Sequence, residues 1–291
     1  MIFDVTTAAN EKMIQHKTYS IDKQLLSDLR LLTRKRSNLL ELGNRTAYVA
    51  VGSSRGAYGF NPMFAPYSCN LCSISQDLTH SFLLYEYANK HCQSIKGVVV
   101  FYSSFSNGFK LAKTNEKWRC AALKEVFSLD APYHDNEIER SIESCSGISY
   151  GVHAPGNAHG FVHNDPLFFF PNSYGADRRA ADHMKGNQRG GQNIHLFRIV
   201  IEAQTRRQKV IVVIPPARSD YRAHLPSTEV LFKDLFASRE ECESICDFTI
   251  LNLYDDSEFI DNHFGDFDHL HPYEAGTELL TRKVAKHLSG H

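Results

Sequence analysis

Ala47-Tyr48-Val49-Ala50-Val51-Gly52-Ser53-Ser54-Arg55-Gly56 is a short apolar run that stops abruptly at small and polar residues. A buried strand followed by a tight turn has this pattern, and the turn leaves a hydroxyl at the carboxyl end of the strand. Four further segments read as strands: Tyr67 to Ser75, Gly97 to Tyr102, Lys209 to Ile214 and Asp247 to Tyr254. Gly97-Val98-Val99-Val100-Phe101-Tyr102 and Lys209-Val210-Ile211-Val212-Val213-Ile214 are continuously apolar after their first residue, as expected of strands covered on both faces.

Helical spacing fills the intervals, at 76–91, 115–145 with an interruption near Ala131-Pro132, 194–204, 228–238 and 274–288. Strands alternating with helices predict an α/β fold: a three-layer α/β/α sandwich around a mainly parallel five-stranded sheet. Residues 1–45 read as a helical extension packed on a main domain of 46–291, with Arg34-Lys35-Arg36 as a solvated face. Between about 146 and 193 Gly, Pro, Asn and His abound and regularity fails, so this stretch is expected to be an irregular insertion or lid.

Bulk properties narrow the classes. The chain has 291 residues, 42% of them hydrophobic, and a formal net charge of -1, which gives no support to nucleic-acid binding. No apolar run reaches the length of a bilayer span, so the sequence as given predicts a soluble, cytoplasmic protein. Seven cysteines are scattered, and Cys69-x-x-Cys72 has no second half at metal-ligand spacing, which favours buried thiols. Gly52-x-x-x-Gly56-x-x-Gly59 after a strand is similar to a dinucleotide-binding turn, but the second strand ends in Cys72, Ser73 and Ser75 with no acid to hold a ribose. His153, His159, His163 and His183, with Asp165 or Asp177, are too irregularly spaced for a metal frame and are expected on the surface or lining a cleft. Arg178, Arg179, Lys185, Arg189, Arg206 and Arg207 form a basic stretch whose simplest role is solvation; the functional alternative is contact with an anionic glycan or with the phosphates of an acyl donor.

The carboxyl ends of the strands are where an open α/β sheet binds ligands, and Ser54 lies at one of them. A serine needs a base to be nucleophilic, and the base needs an acceptor on its other ring nitrogen. Asp268 and His271 sit three residues apart before Pro272, so one loop can present both. His269, between them, is expected to be exposed.

On these residues the chain resembles the SGNH (GDSL-like) hydrolase superfamily. Val51-Gly52-Ser53-Ser54 falls at the family's first block, and Asp268-His269-Leu270-His271-Pro272, followed by Gly276 and a last helix, resembles its closing Asp-x-x-His block. Gly-Ser-Ser, the Asn-bearing third strand end and the Pro-Pro-ended fourth strand are similar to the branch that transfers or removes acyl groups on polysaccharides and envelope polymers, including the D-alanyl transfer proteins and glycan O-acetyltransferases and esterases. Departures are Ser53 where members usually carry Asp, Asn107 in Ser104-Phe105-Ser106-Asn107 instead of Gly-x-Asn-Asp, and no second-block glycine.

The resemblance implies a flavodoxin-like SGNH fold and acyl-ester chemistry through an acyl-serine. In it Ser54 is the nucleophile, His271 the base and Asp268 the residue that orients it. The oxyanion donors would be the backbone N–H groups of Ser54 and Ser73 and the Asn107 amide. Arg55 and Arg218 are expected to contact substrate, Arg218 because it lies just after the fourth strand, near the cleft. The substrate would be an O-acyl, such as O-acetyl, group of a carbohydrate or envelope polymer; no cofactor is required, and acetyl-CoA would be the acyl donor of a transferase. Hydrolysis and transfer both remain open, as does oligomeric state. The alternative from another class is a glycan-binding module that kept the fold without turnover.

Overall fold

Strand β1 (Tyr48–Gly52) runs parallel to β2 (Ser68–Asn70) on one side and to β3 (Gly97–Phe101) on the other. Beyond β3 lie β4 (Lys209–Ile214) and β5 (Thr249–Asn252), giving an all-parallel sheet of five strands in the order β2-β1-β3-β4-β5. The computed structural model describes residues 5–130, 133, 136–145, 160–161, 173–187, 190–242, 247–272 and 274–289. Chain order reverses direction at β1, so the crevice beyond the carboxyl ends of β1 and β3 is the topological switch point where such sheets place ligands.

Helix α1 (Val5–Leu42) precedes β1, and the connections from β1 to β4 carry α2 (Ser54–Gly59), α3 (Leu78–His91), α4 (Trp118–Phe127), α5 (Asn136–Cys145), α6 (Ala176–Asn187) and α7 (Asn193–Thr205). After β4 come α8 (Ser219–Arg222), α9 (Thr228–Leu231), α10 (Lys233–Cys242) and α11 (Ala275–Ser289). Alternation along the strands splits the core in two, because successive side chains point to opposite faces. Val49, Val51, Val98, Val100, Val210, Val212 and Ile214 join the residues of α1, α3, α4 and α7 on one face. Ala50, Val99, Phe101, Ile211 and Val213 join α2 and α11 on the other, completing the three layers.

Glycine is required at the last residue of β1 and within α2. Gly52 has φ +138°, and a Cβ there would lie 2.7 Å from the Phe101 oxygen; at Gly56 it would lie 2.5 Å from Cys72 Sγ and 2.6 Å from the Phe101 ring. The glycine pattern therefore lets α2 lie directly on the sheet, which fixes where Ser54 stands.

Helix α1 takes up most of residues 1–45, burying Leu25, Leu29, Leu32 and Leu39 against the domain and packing along α4 and the β2 edge. Two details differ from the sequence reading. Within Arg34-Lys35-Arg36, Lys35 is fully buried, its ammonium donating to the backbone oxygens of Asn70, at 3.1 Å, and Gly160. Burial pushes its pKa down to about 8. Inside the expected irregular stretch 146–193, residues 176–187 form α6; the expected sites at His153, His159, His163, Asp165 and Arg189 lie outside the described residues. Cys69, Cys72, Cys92 and Cys120 are buried free thiols, with burial pushing Cys69 up to about 12. Among the described residues no helix is long and apolar enough to cross a membrane.

Helix α3 begins on a buried ion pair. Asp77 Oδ1 accepts from the His80 backbone N–H at 2.9 Å and its Nδ1 at 2.7 Å, and Oδ2 accepts from Leu111 N–H at 2.9 Å. Burial alone would lower the His80 pKa, but Asp77 outweighs it and lifts it to about 10, against 6.5 for an ordinary imidazole. A folded-state value above the unfolded one means stability present in full below pH 6.5 and lost as pH rises towards 10. The stability gap between wild type and His80→Gln, measured by urea unfolding, should therefore narrow across that range; a gap independent of pH would show that the pair is not ionic.

Candidate functional site

The loop after β5 is built on a single carboxylate. Asp266 Oδ1 accepts from the backbone N–H groups of Asp268 at 3.0 Å and His269 at 2.9 Å, the self-capping turn that Asp favours. An antiparallel bridge between Phe264 and Leu270 closes the turn, with Gly265 N–H donating to His269 O at 2.9 Å and His271 N–H to His263 O at 2.9 Å. The turn folds the His269 ring back, so that Nδ1 lies 2.9 and 2.8 Å from the two Asp266 oxygens. Nε2 then stands 2.7 Å from Ser54 Oγ, at the first residue of α2. With Asp266 accepting the Nδ1 proton, Nε2 is left as the acceptor for the Ser54 hydroxyl. The Tyr58 ring packs nearly perpendicular to the imidazole, at 5.4 Å between centroids. Burial opposes ionisation of Asp266, but His269 outweighs it and holds the carboxyl below its ordinary range.

The histidine that meets Ser54 is thus His269, which is buried, and not His271; its carboxylate partner is Asp266, and not Asp268. The segment contains two overlapping Asp-x-x-His matches, Asp266 to His269 and Asp268 to His271, offset by two residues. Asp268 is committed elsewhere. Its Oδ2 accepts from Arg55 Nε at 3.1 Å and Nη2 at 2.7 Å, and its Oδ1 from Arg179 Nε at 3.3 Å. Burial would raise the Asp268 pKa, but the surrounding positive groups, Arg179 foremost and Arg55 among them, hold the carboxyl well below the usual carboxylate range.

Other expected positions also move. Arg55 does not face a ligand: its side chain is 1% exposed, fixed by Asp268 and by Tyr221 Oη at 3.3 Å. Arg218 is buried against Asp220, at 2.8 and 2.7 Å, with its guanidinium 4.9 Å from the Phe267 ring centroid, and does not line the cavity beside Ser54. The Ser73 N–H donates to Gly52 O at 3.1 Å, and the Asn107 amide donates to Asp234 Oδ2 at 2.9 Å. Asn107 Oδ1 meanwhile accepts from Asn193 N–H at 3.2 Å, so this residue ties the β3 end to α7 and α10 rather than presenting an oxyanion donor. Ser53 turns inward onto Ser103 Oγ at 3.1 Å.

Ser54 opens onto a cavity of about 690 Å³, walled by Ser75, Phe105 and Phe109 from the strand ends and by Arg179 and His183 from α6. Successive turns of α6 place residues 179, 182, 183 and 186 on this wall, the spacing of one helical face. His183 Nδ1 lies 2.6 Å from Tyr221 Oη, and its ring packs 4.5 Å from that of Phe105. Burial, with Arg179 and Arg55 adding to it against Asp268, pushes its pKa down to about 3, so the ring is neutral at physiological pH.

Asp266, Asp268 and His269 bring one ligand atom each within 4.8 Å of one another, the one such group among the described residues. They do not suit a cation, because both Asp268 oxygens already accept from guanidinium groups, which would sit against the incoming charge.

No family model matches the chain, and no curated protein matches it. A solved structure of a protein from Streptococcus pneumonia, provisionally described as a platelet activating factor, is similar over 97% of this chain and 99% of that one, at 11% identity and a TM-score of 0.44. A likeness at that level carries no conclusion about this chain.

Proposed function

We propose that the chain is a serine-dependent acyl-ester hydrolase or acyltransferase, with Ser54 as nucleophile, His269 as general base and Asp266 as the residue that orients it. The observation that carries this reading is the unbroken chain from Ser54 Oγ through His269 to the Asp266 carboxylate, with bonds of 2.7 and 2.8 Å, at the mouth of a cavity. Nucleophile, base and orienting acceptor standing in hydrogen-bond reach is the arrangement acyl transfer requires.

In this mechanism His269 Nε2 takes the hydroxyl proton as Ser54 attacks the ester carbonyl. Asp266 holds the Nδ1 proton and stabilises the imidazolium, which then returns a proton to the leaving alcohol. Water or an acceptor hydroxyl resolves the acyl-serine. Of the expected oxyanion donors, the Ser54 backbone N–H at the start of α2 is the one not drawn into another role described above. The substrate, an O-acyl group on a carbohydrate or envelope polymer, rests on the resemblance of Gly52-Ser53-Ser54, the Asn107-bearing third strand end and the Pro215-Pro216-ended fourth strand to the polymer-acyl branch of the SGNH superfamily.

A fluorophosphonate probe tests the nucleophile directly. Wild type should be labelled at Ser54, as located by peptide mass spectrometry, and His269→Ala should label far more slowly. Folded protein that resists the probe would favour the non-catalytic glycan-binding module instead.

A further inference from the structure

The cavity beside Ser54 carries a charge pattern that ester cleavage does not need. Lys110, Lys113 and Lys185 line it together with Arg179. Lys110 and Lys113 come from the segment after β3 and Lys185 from α6, so the lysines lie on two walls of the cavity. Three carboxylates share the lining, and two of them are spent: Asp268 on Arg55 and Arg179, and Glu116 on Arg119 at 3.4 Å and on the Ser75 hydroxyl. Asp182 remains. Among the described residues no carboxylate pairs with Lys110, Lys113 or Lys185, and His183, being neutral, adds no charge of its own.

We infer that this cavity takes a phosphate-bearing ester, with the acyl group at Ser54 and a phosphoryl group between Lys110, Lys113 and Lys185. This rests on the acyl-ester reading of Ser54 and adds to it the class of substrate. A whole chain of net charge -1 has no general attraction for anions, so the local excess of cations is a property of this cavity. Ammonium groups act as point charges that suit a multiply charged phosphoryl group, whereas a single carboxylate would leave two of the three unneutralised. Phe105 and Phe109, edge to face at 5.4 Å, give the space between the two ends an apolar wall for the body of the substrate.

Inorganic pyrophosphate is the probe, titrated calorimetrically against the full chain at about 50 mM salt, where screening leaves such contacts measurable. Wild type and Ser54→Ala should both bind it, one per chain, and galacturonate, a singly charged sugar acid, should bind at least about tenfold more weakly. Lys110→Ala/Lys113→Ala/Lys185→Ala should weaken pyrophosphate binding by at least about tenfold, while Lys90→Ala/Lys96→Ala/Lys233→Ala, of equal charge and away from the cavity, should not. Bound pyrophosphate should also slow fluorophosphonate labelling of Ser54. Equal binding by the two triple variants, no binding by wild type, or galacturonate binding as well as pyrophosphate would each overturn the inference. Because the calorimetric arm needs no turnover, a protein that binds pyrophosphate through these lysines but resists the fluorophosphonate would retain the anion site and lose only the acyl-ester reading.

Discussion

His269→Ala and Ser54→Ala should each lower turnover of 4-nitrophenyl acetate by on the order of a million-fold, while His271→Ala should retain most of it. The two histidines are separated by one residue and are equally able to serve as bases in chemical type. Their positions differ: His269 Nε2 is 2.7 Å from the Ser54 hydroxyl, whereas the His271 backbone is drawn to His263. Loss of either member of a nucleophile and base pair removes the same step, so Ser54→Ala/His269→Ala should be no slower than either single variant. Initial rates with the aryl ester, at matched melting temperature, decide the matter. Loss of turnover in His271→Ala alongside full turnover in His269→Ala would return the base to the second Asp-x-x-His match.

That ambiguity shows which parts of the molecule its sequence makes legible. The sheet is legible because strands covered on both faces must be apolar throughout, and Gly97 to Phe101 and Lys209 to Ile214 fall where that pattern places them. Ser54 is legible as a hydroxyl at a strand end for the same reason. Helix α6 is not, because the residues it buries fully are small, Ala176 and Ala180, with Met184 only partly buried beside them, while its cavity face is Arg, Asp, His, Lys and Gly. Lys35 is not, because its burial depends on the carbonyls of Asn70 and Gly160, far away in the chain. The choice between Asp266 and Asp268 falls in the same class. Arg55 claims Asp268 across 213 residues, and no local spacing records that.

Asp268→Ala and Asp266→Asn should separate cleanly, the first costing stability and the second turnover. Arg55 and Asp268 are each 1% exposed, so removing the carboxylate leaves a guanidinium in the interior with Tyr221 Oη as its remaining partner and Nη1 already without one. Breaking a buried pair from one side costs about 3–5 kcal/mol, a large share of the stability of a typical domain. Arg55→Met/Asp268→Leu should recover much of that loss, because two apolar side chains remove both desolvation penalties together. Asp266→Asn preserves an oxygen for the Asp268 and His269 backbone N–H groups, so the turn and the melting temperature should survive. The amide can no longer hold the Nδ1 proton as a carboxylate does, and the imidazole adopts the tautomer that cannot accept from Ser54. On that basis aryl ester turnover should fall on the order of ten-thousand-fold. Chemical denaturation and steady-state rates on the same preparations test both halves. If Asp268→Ala abolished turnover at unchanged stability while Asp266→Asn turned over normally, the carboxylate that orients the base would be Asp268, and the buried pair with Arg55 would not be what holds this loop to the sheet.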